Sequence, residues 1–332
     1  MTNAPTSKPI IALTQGDPAG IGPEICLKAI AVPAVLDCCR PVIIGDRSVL
    51  EQFASHLDLG LPETVYSEIE VLDSGDGPVL IDCGITDEKI EPGKPTRLAG
   101  EASYKYLEVA IEGAIGGIFD AITTAPITKT TLHLAGIKEP GHTEILGRLT
   151  DTENFAMMLY SPRLAVGFVT CHQSLRSVPE SLTVENILRV TGLTRETLRR
   201  IRGREPRLAV LGLNPHGGED GIFGLEDRDI VAPAVELARN EGWDVEGPIP
   251  ADTAFTPSAL ERYDGHIALY HDQGAIPFKM ISFHDGVNIT MGLPIIRTSV
   301  DHGTAYDIAW HGTANVSSMV SAIRLAANLA SS

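Results

Sequence analysis

Three histidines stand just beyond short apolar runs. LAVGFVT (164–170) leads into Cys171 and His172, RLAVLGLN (207–214) into Pro215 and His216, and HIALY (266–270) into His271 and Asp272. Neutral imidazoles delivered by three separate strands make a divalent-metal site with positions left for substrate or water. Unrelated polar loop histidines would give the same spacing, so the pattern alone leaves both readings open.

Two further segments have the chemistry of anion recognition. Gly141-His142-Thr143-Glu144 can open a helix and offer backbone N–H groups and a hydroxyl to an oxyanion; an ordinary capped helix start reads the same way. Lys279, Asn288 and Arg297 follow at intervals of nine. They place a point charge, an amide and a two-pronged guanidinium in one stretch. Solvated surface charge is the competing reading, and the apolar flanks IPFKMI and LPIIRT weaken it. The glycine-rich run GDPAGIGPE (16–24) follows a strand and opens a helix, but it is neither a dinucleotide fingerprint nor a Walker sequence. No G-x-S-x-G elbow or H-E-x-x-H helix occurs, which removes serine-hydrolase and zincin chemistry.

The elements that carry these residues alternate between strand and helix. PIIAL (9–13), PVIIG (41–45), FDAITT (119–124) and the three histidine-bearing runs are short and apolar on both faces, as parallel strands covered by helices are. Between them, Glu101 to Gly117 has helical spacing and Thr183 can cap a helix running to Arg202. Thr256 with Pro257 forms a cap and first turn, and Asp229 to Glu241 makes a helix stopped by Gly242 despite Pro233. The class is therefore α/β. A chain of 332 residues, 43% hydrophobic, suggests two lobes. Met1 to Lys8 reads as a loose polar leader, and no run approaches the ~20 apolar residues of a membrane-spanning helix. The net charge of −17 argues against nucleic acid and makes each cation near an anionic substrate act locally. Five cysteines without a CxxC pair indicate a reducing, cytoplasmic setting.

TQGDPAGIGPEI (14–25), TTAPITK (123–129), GHTE (141–144), LNPHGGE (213–219), PADTAF (250–255), YHDQGAIPFK (270–279) and VNITMGLPIIRTSVDHGTAYDIA (287–309) span nearly the whole chain in order. Together they resemble the 4-hydroxythreonine-4-phosphate dehydrogenase family. The resemblance implies two α/β/α domains flanking a cleft, as in isocitrate and isopropylmalate dehydrogenases. The first would comprise about 1–125 and 285–332, and the second about 126–284, with the metal histidines and dimer contacts. It places a divalent metal (Zn, Co, Ni, Mn or Mg) on His172, His216 and His271, and substrate contacts on His142, Thr143, Lys279, Asn288 and Arg297. Asp252 matches an acidic residue near the metal, and Asp252, His142 and Lys279 share the proton chemistry. DHGTAYDIA is similar to the adenosine-holding loop of those relatives, which gives His302, Gly303, Thr304 and Asp307 to NAD, or NADP.

Two loops depart from the family pattern: TCHQSL (170–175) where T-T-H-[LIV]-P-[LY] is usual, and HGGEDGIFGLED (216–227) in place of an HAGEGG-type run. Both border the expected substrate space and leave the substrate open between the vitamin B6 precursor and those of the family's catabolic branches, which act on 4-phospho-threonate or erythronate and on dihydrodiols of aromatic dicarboxylates; the FGLED run is similar to the dihydrodiol branch. The dihydrodiol branch loses the GHTE, Asn and Arg pattern kept here. The resemblance thus implies metal- and NAD-dependent oxidation of a phosphorylated four-carbon hydroxy acid, then decarboxylation, in a homodimer with shared active sites. A phosphoacyl transferase would need no three-histidine site, and a non-catalytic phosphometabolite binder could lose the histidines and Asp252.

Overall fold

Alternate residues of the first strand point into different cores. In the computed structural model, which describes residues 8–57, 59–69, 72, 75–86, 89–139 and 141–332, β1 (Ile10–Thr14) turns Ile11 and Leu13 toward one buried cluster and Ala12 toward another. β2 (Arg40–Gly45) does the same with Ile43 against Val42 and Ile44. A strand apolar on both faces has to lie between two layers of helices. The expected leader falls almost wholly outside the described residues.

The chain divides into two units: residues up to Asn154 together with Leu293–Ser331, and Phe155–Gly292. The crossings thus fall at 154–155 and 292–293, against the expected 125 and 285. The first unit extends further because Leu132, Ile145 and Leu146 pack into the cluster of Ala12, Val42 and Tyr106. Its sheet is parallel throughout, in the order β3 (Thr64–Tyr66), β4 (Val79–Asp82), β2, β1, β5 (Ala121–Thr124), β12 (Arg297–Val300). On one face lie α1 (Gly22–Ile30) and α12 (Ser317–Ala330); on the other lies α4 (Arg97–Ile115). The fourth helix starts before the expected Glu101 because Thr96 accepts the N–H of Ala99 at 3.1 Å.

The second unit is mixed. Its order is β11 (Val287–Met291), β6 (Ala156–Tyr160), β7 (Ala165–Phe168), β10 (Gly265–Ala268), β8 (Leu208–Leu211), β9 (Val245–Ile249). The last four run parallel, whereas β6 is antiparallel to both of its neighbours. The strands expected to be parallel are so, and the antiparallel β6, which the sequence does not mark, joins β7 through a hairpin closed by Ser161, its Oγ accepting the N–H groups of Arg163 and Leu164. Helix α8 (Val184–Arg202) is capped by Thr183 and ends at Gly203 in the left-handed region, φ 67°. The helix expected from Asp229 instead begins as a π turn, Asp227–Val231, followed by α9 (Ala232–Asn240). Pro233 lies in the first turn of α9, where a missing N–H costs no helical bond. At α10 (Pro257–Arg262) the expected cap is absent: Thr256 Oγ1 donates to Thr253 O at 2.9 Å. Among the described residues no helix is long and apolar enough to cross a membrane.

Candidate active site

β7, β10 and β8 are adjacent parallel strands, so their carboxyl ends open onto one edge of the second unit's sheet. Ligands collect at such edges. His172, His271 and His216 follow those three ends in the same spatial order. The rings of His172 and His271 lie side by side, centroids 6.1 Å apart, and His271 also stacks on Phe168 at 5.9 Å. Asp272 Oδ1 is 2.7 Å from His271 Nδ1, and Glu219 Oε1 is 2.7 Å from His216 Nδ1. A carboxylate on Nδ1 fixes the tautomer and leaves Nε2 as the ligating nitrogen. This donor set suits a borderline divalent metal. Even so, the structure brings only two of the three imidazoles together. No group of three His, Cys, Asp or Glu side chains among the described residues of one chain is close enough to hold a metal ion. His216 lies in a left-handed turn, Pro215–Gly221, with φ between 40° and 83° from His216 to Asp220, and its ring meets the edge of Phe223.

The strand ends are held by groups that the sequence reading passed over. Gln273, at the start of α11 (His271–Ser282), accepts the N–H of Leu269 and donates to Gly212 O, both at 2.7 Å, tying the end of β10 to the end of β8. Buried Asp227 accepts the N–H groups of Leu213 and Asn214 just before His216. Thr170 donates to Leu269 O at 2.7 Å. The YHDQG motif offered a signal for Gln273; the partners of Asp227 are set by the turn and have no local signature.

Three more expected residues belong to this unit. Asp252 is exposed in the turn after β9. Lys279 is half-buried on α11, its ammonium 5.9 Å from the Phe283 ring centroid. Asn288, on β11, has a buried Oδ1 without a hydrogen-bond partner among the described residues.

In the first unit Arg297 opens β12 and is only 2% exposed. Its Nη2 donates to Thr124 Oγ1, at the carboxyl end of β5, at 2.7 Å. Burial pushes its pKa down to about 9, a sign of how poorly solvated this cation is. His142 begins α6 (His142–Leu149), with Thr143 half-buried beside it. Burial, and then the charge of Arg297, hold His142 well below the usual histidine range, so it is neutral at physiological pH. Its Nε2 is buried and has no partner among the described residues. A desolvated guanidinium whose charge is felt by an imidazole with an unused nitrogen suits an anion.

The glycine-rich loop serves packing. A Cβ at Gly16, where φ is +68°, would sit 2.5 Å from Pro126 O, and one at Gly22 would sit 2.0 Å from Gln15 O. Buried Asp17 binds Ala19 N, Thr131 Oγ1 and Tyr306 Oη, and the N–H of Ile21 reaches Thr304 O. Glu24 accepts the N–H groups of Gly312 and Ala314. These bonds hold the segment 301–316 at its middle and far end, and leave His302, Gly303 and Asp307 exposed. A Cβ at Gly303 would meet nothing within 4 Å, so packing does not demand glycine there. Close approach of a bound molecule to the backbone would. The segment fits a dinucleotide on that ground.

Residues 37–326 match the family described as Pyridoxal phosphate biosynthetic protein PdxA. A 4-hydroxythreonine-4-phosphate dehydrogenase of Desulforapulum autotrophicum is 46% identical, over 97% of this chain and 95% of its own. A D-threonate 4-phosphate dehydrogenase of Salmonella typhimurium is 44% identical, over 96% and 98%. The crystal structure of 4-hydroxythreonine-4-phosphate dehydrogenase from Klebsiella pneumoniae superposes with a TM-score of 0.86 at 42% identity, covering 97% of this chain and 100% of that one. With both the sequence and the fold of each unit matched over nearly their full length, this chain belongs to the PdxA family of dehydrogenases, enzymes that oxidise a CH–OH group.

Proposed function

We propose that the chain catalyses NAD-linked, divalent-metal-dependent oxidation of a phosphorylated four-carbon hydroxy acid, with decarboxylation of the β-keto acid formed. The substrate is 4-phosphooxy-threonine or 4-phospho-threonate, as the names of the relatives indicate. The observation that carries the phosphate is Arg297: a guanidinium taken out of water, its charge felt by a neutral, unsatisfied His142. Thr143, Asn288 and Lys279 add a hydroxyl, an amide and a second charge. His172, His216 and His271 would hold the metal through Nε2. His302, Gly303, Thr304 and Asp307 would meet the dinucleotide. The segment 301–316 contains Asp301 and Asp307 and no Lys or Arg, which favours NAD over a cofactor with an extra phosphate.

When bound, the metal would supply Lewis acidity and the nicotinamide a hydride acceptor at the reacting carbon. The chain's own groups handle protons and alignment. Asp252, His142 and Lys279 are the residues available to take the hydroxyl proton; His142, being neutral, has a lone pair to offer. Arg297 anchors the far end of the substrate, so that the carbon bearing the hydroxyl is presented in one orientation. In the β-keto acid the C–C bond to the carboxylate then breaks, its electron pair staying as an enolate that is protonated at carbon, and CO₂ leaves.

The cytoplasmic homodimer also belongs to this reading. Ile276, Met280 and Phe283 recur at helical spacing along α11 and beyond its end, 58%, 83% and 68% exposed. Ile276 and Met280 lie on the element that begins with His271 and Phe283 caps its end, and a second copy covering them would bring its own ligands to that edge. Incubation with each phosphorylated acid, NAD and a divalent metal tests the activity. NADH and CO₂ should appear in equal amounts with one of the two acids, and no turnover with either would sink the proposal.

A further inference from the structure

His266 lies on β10, only 1% exposed, in a chain position with no part in the chemistry above. Its Nε2 is 2.8 Å from Ala254 O. A carbonyl can only accept, so Nε2 carries the proton and Nδ1 is the bare nitrogen. That Nδ1 is buried and without a partner among the described residues. An unsatisfied buried acceptor costs about 1–3 kcal/mol; a phenylalanine would fill the same space without a bare nitrogen but would leave Ala254 O unpaired instead. The imidazole is explained by what its N–H does. It holds the turn Pro250–Phe255, in which Thr253 N and Oγ1 donate to Pro250 O and whose Thr253 O accepts from Thr256 just beyond. The ring also stacks on Phe255, centroids 4.8 Å apart at 25°, with Tyr263 edge-on behind it. Ala254 is fully buried, whereas Asp252, two residues earlier, is exposed.

We propose that His266 is a positioning residue: its Nε2–H and its ring clamp the Ala254–Phe255 backbone and so fix where the Asp252 carboxylate is presented. The inference rests on Asp252 taking part in the reaction. The ring stays neutral through the physiological range, since burial lowers its pKa to about 4, and the clamp therefore works as a fixed donor.

Two substitutions separate the clamp from packing. His266→Phe keeps the volume and the stack but removes the donor; His266→Gln restores an N–H at similar reach. With the phosphorylated acid that turns over, His266→Phe should lower kcat by about tenfold with KM and metal content unchanged. His266→Gln should recover to within about twofold. Amide hydrogen exchange at Thr253–Phe255, read without substrate or metal, should speed up in His266→Phe and return toward wild type in His266→Gln. In an Asp252→Asn background, His266→Phe should cause no further loss of kcat. Wild-type kcat and exchange in His266→Phe, beside an impaired Asp252→Asn, would overturn this inference alone. Full activity of Asp252→Asn would overturn the role of Asp252 and the inference with it.

Discussion

The two units treat their functional side chains in opposite ways. In the first, Arg297 and His142 are prepared in the interior: a guanidinium 2% exposed and braced by Thr124, and an imidazole held neutral with its buried Nε2 unused. In the second, His172, His216 and His271 stand at or near the surface, two of them oriented by carboxylates, and the three form no closed ligand set in one chain. In the proposed function the difference follows from what each would bind. A phosphate is distinguished from other groups by charge, and charge is read most strongly by a donor already stripped of water. A metal site needs neutral nitrogens that remain accessible until the ion arrives.

The largest effect should come from the exposed region. Replacing any one of His172, His216 or His271 by Ala should cut turnover by about a thousandfold or more and lower metal content, while unfolding stays cooperative. Metal analysis of the purified variants checks this, and full metal retention in the triple variant would end the assignment. A smaller effect should follow from Met280→Glu, which places a charge in the exposed α11 stripe. Losing burial of one large side chain weakens association by about 2–3 kcal/mol, roughly 30- to 150-fold. Sedimentation should detect monomer at concentrations where wild type is dimeric. An active, metal-loaded wild-type monomer would remove the dimer from the account.

The smallest effect is one of stability against pH. His266 is neutral in both folded and unfolded chains above pH ~6.5. Below that the unfolded chain takes up a proton that the folded chain resists down to about pH 4. Stability is therefore lost as pH falls through this window, by about 2 kcal/mol at pH 5. Denaturant titrations at pH 7 and pH 5 should show that loss in wild type and a smaller one in His266→Phe. An equal loss in both would mean that His266 titrates normally.

Much of the second unit's edge was legible in the sequence. β7, β8 and β10 are short, apolar on both faces and bounded by polar residues, and each histidine follows directly. β6 was not, because AMMLY lacks the β-branched residues that mark a strand. The glycine pair after His216 signals a turn, but not five successive left-handed residues. GDPAGIGPE matches no phosphate-binding fingerprint, and its glycines are needed where backbone meets backbone at Pro126 and Gln15. The parts played by Asp17, Asp227 and Gln273 depend on partners that folding supplies, among them Tyr306, Asn214 and Gly212. No local pattern encodes such pairs. His266 reads as one more strand residue until its bond to Ala254 is seen.

In the proposed function Arg297 reads the phosphate while the histidines hold the metal. The direct test compares kcat/KM for the phosphorylated acid with that for the same acid lacking phosphate, in wild type and in Arg297→Lys, with metal content measured in both. Wild type should prefer the phosphorylated acid by about a hundredfold or more. Arg297→Lys should lose most of that preference, because the planar fork is gone, with metal content unchanged. Equal losses on both substrates, or an unchanged preference, would contradict the claim.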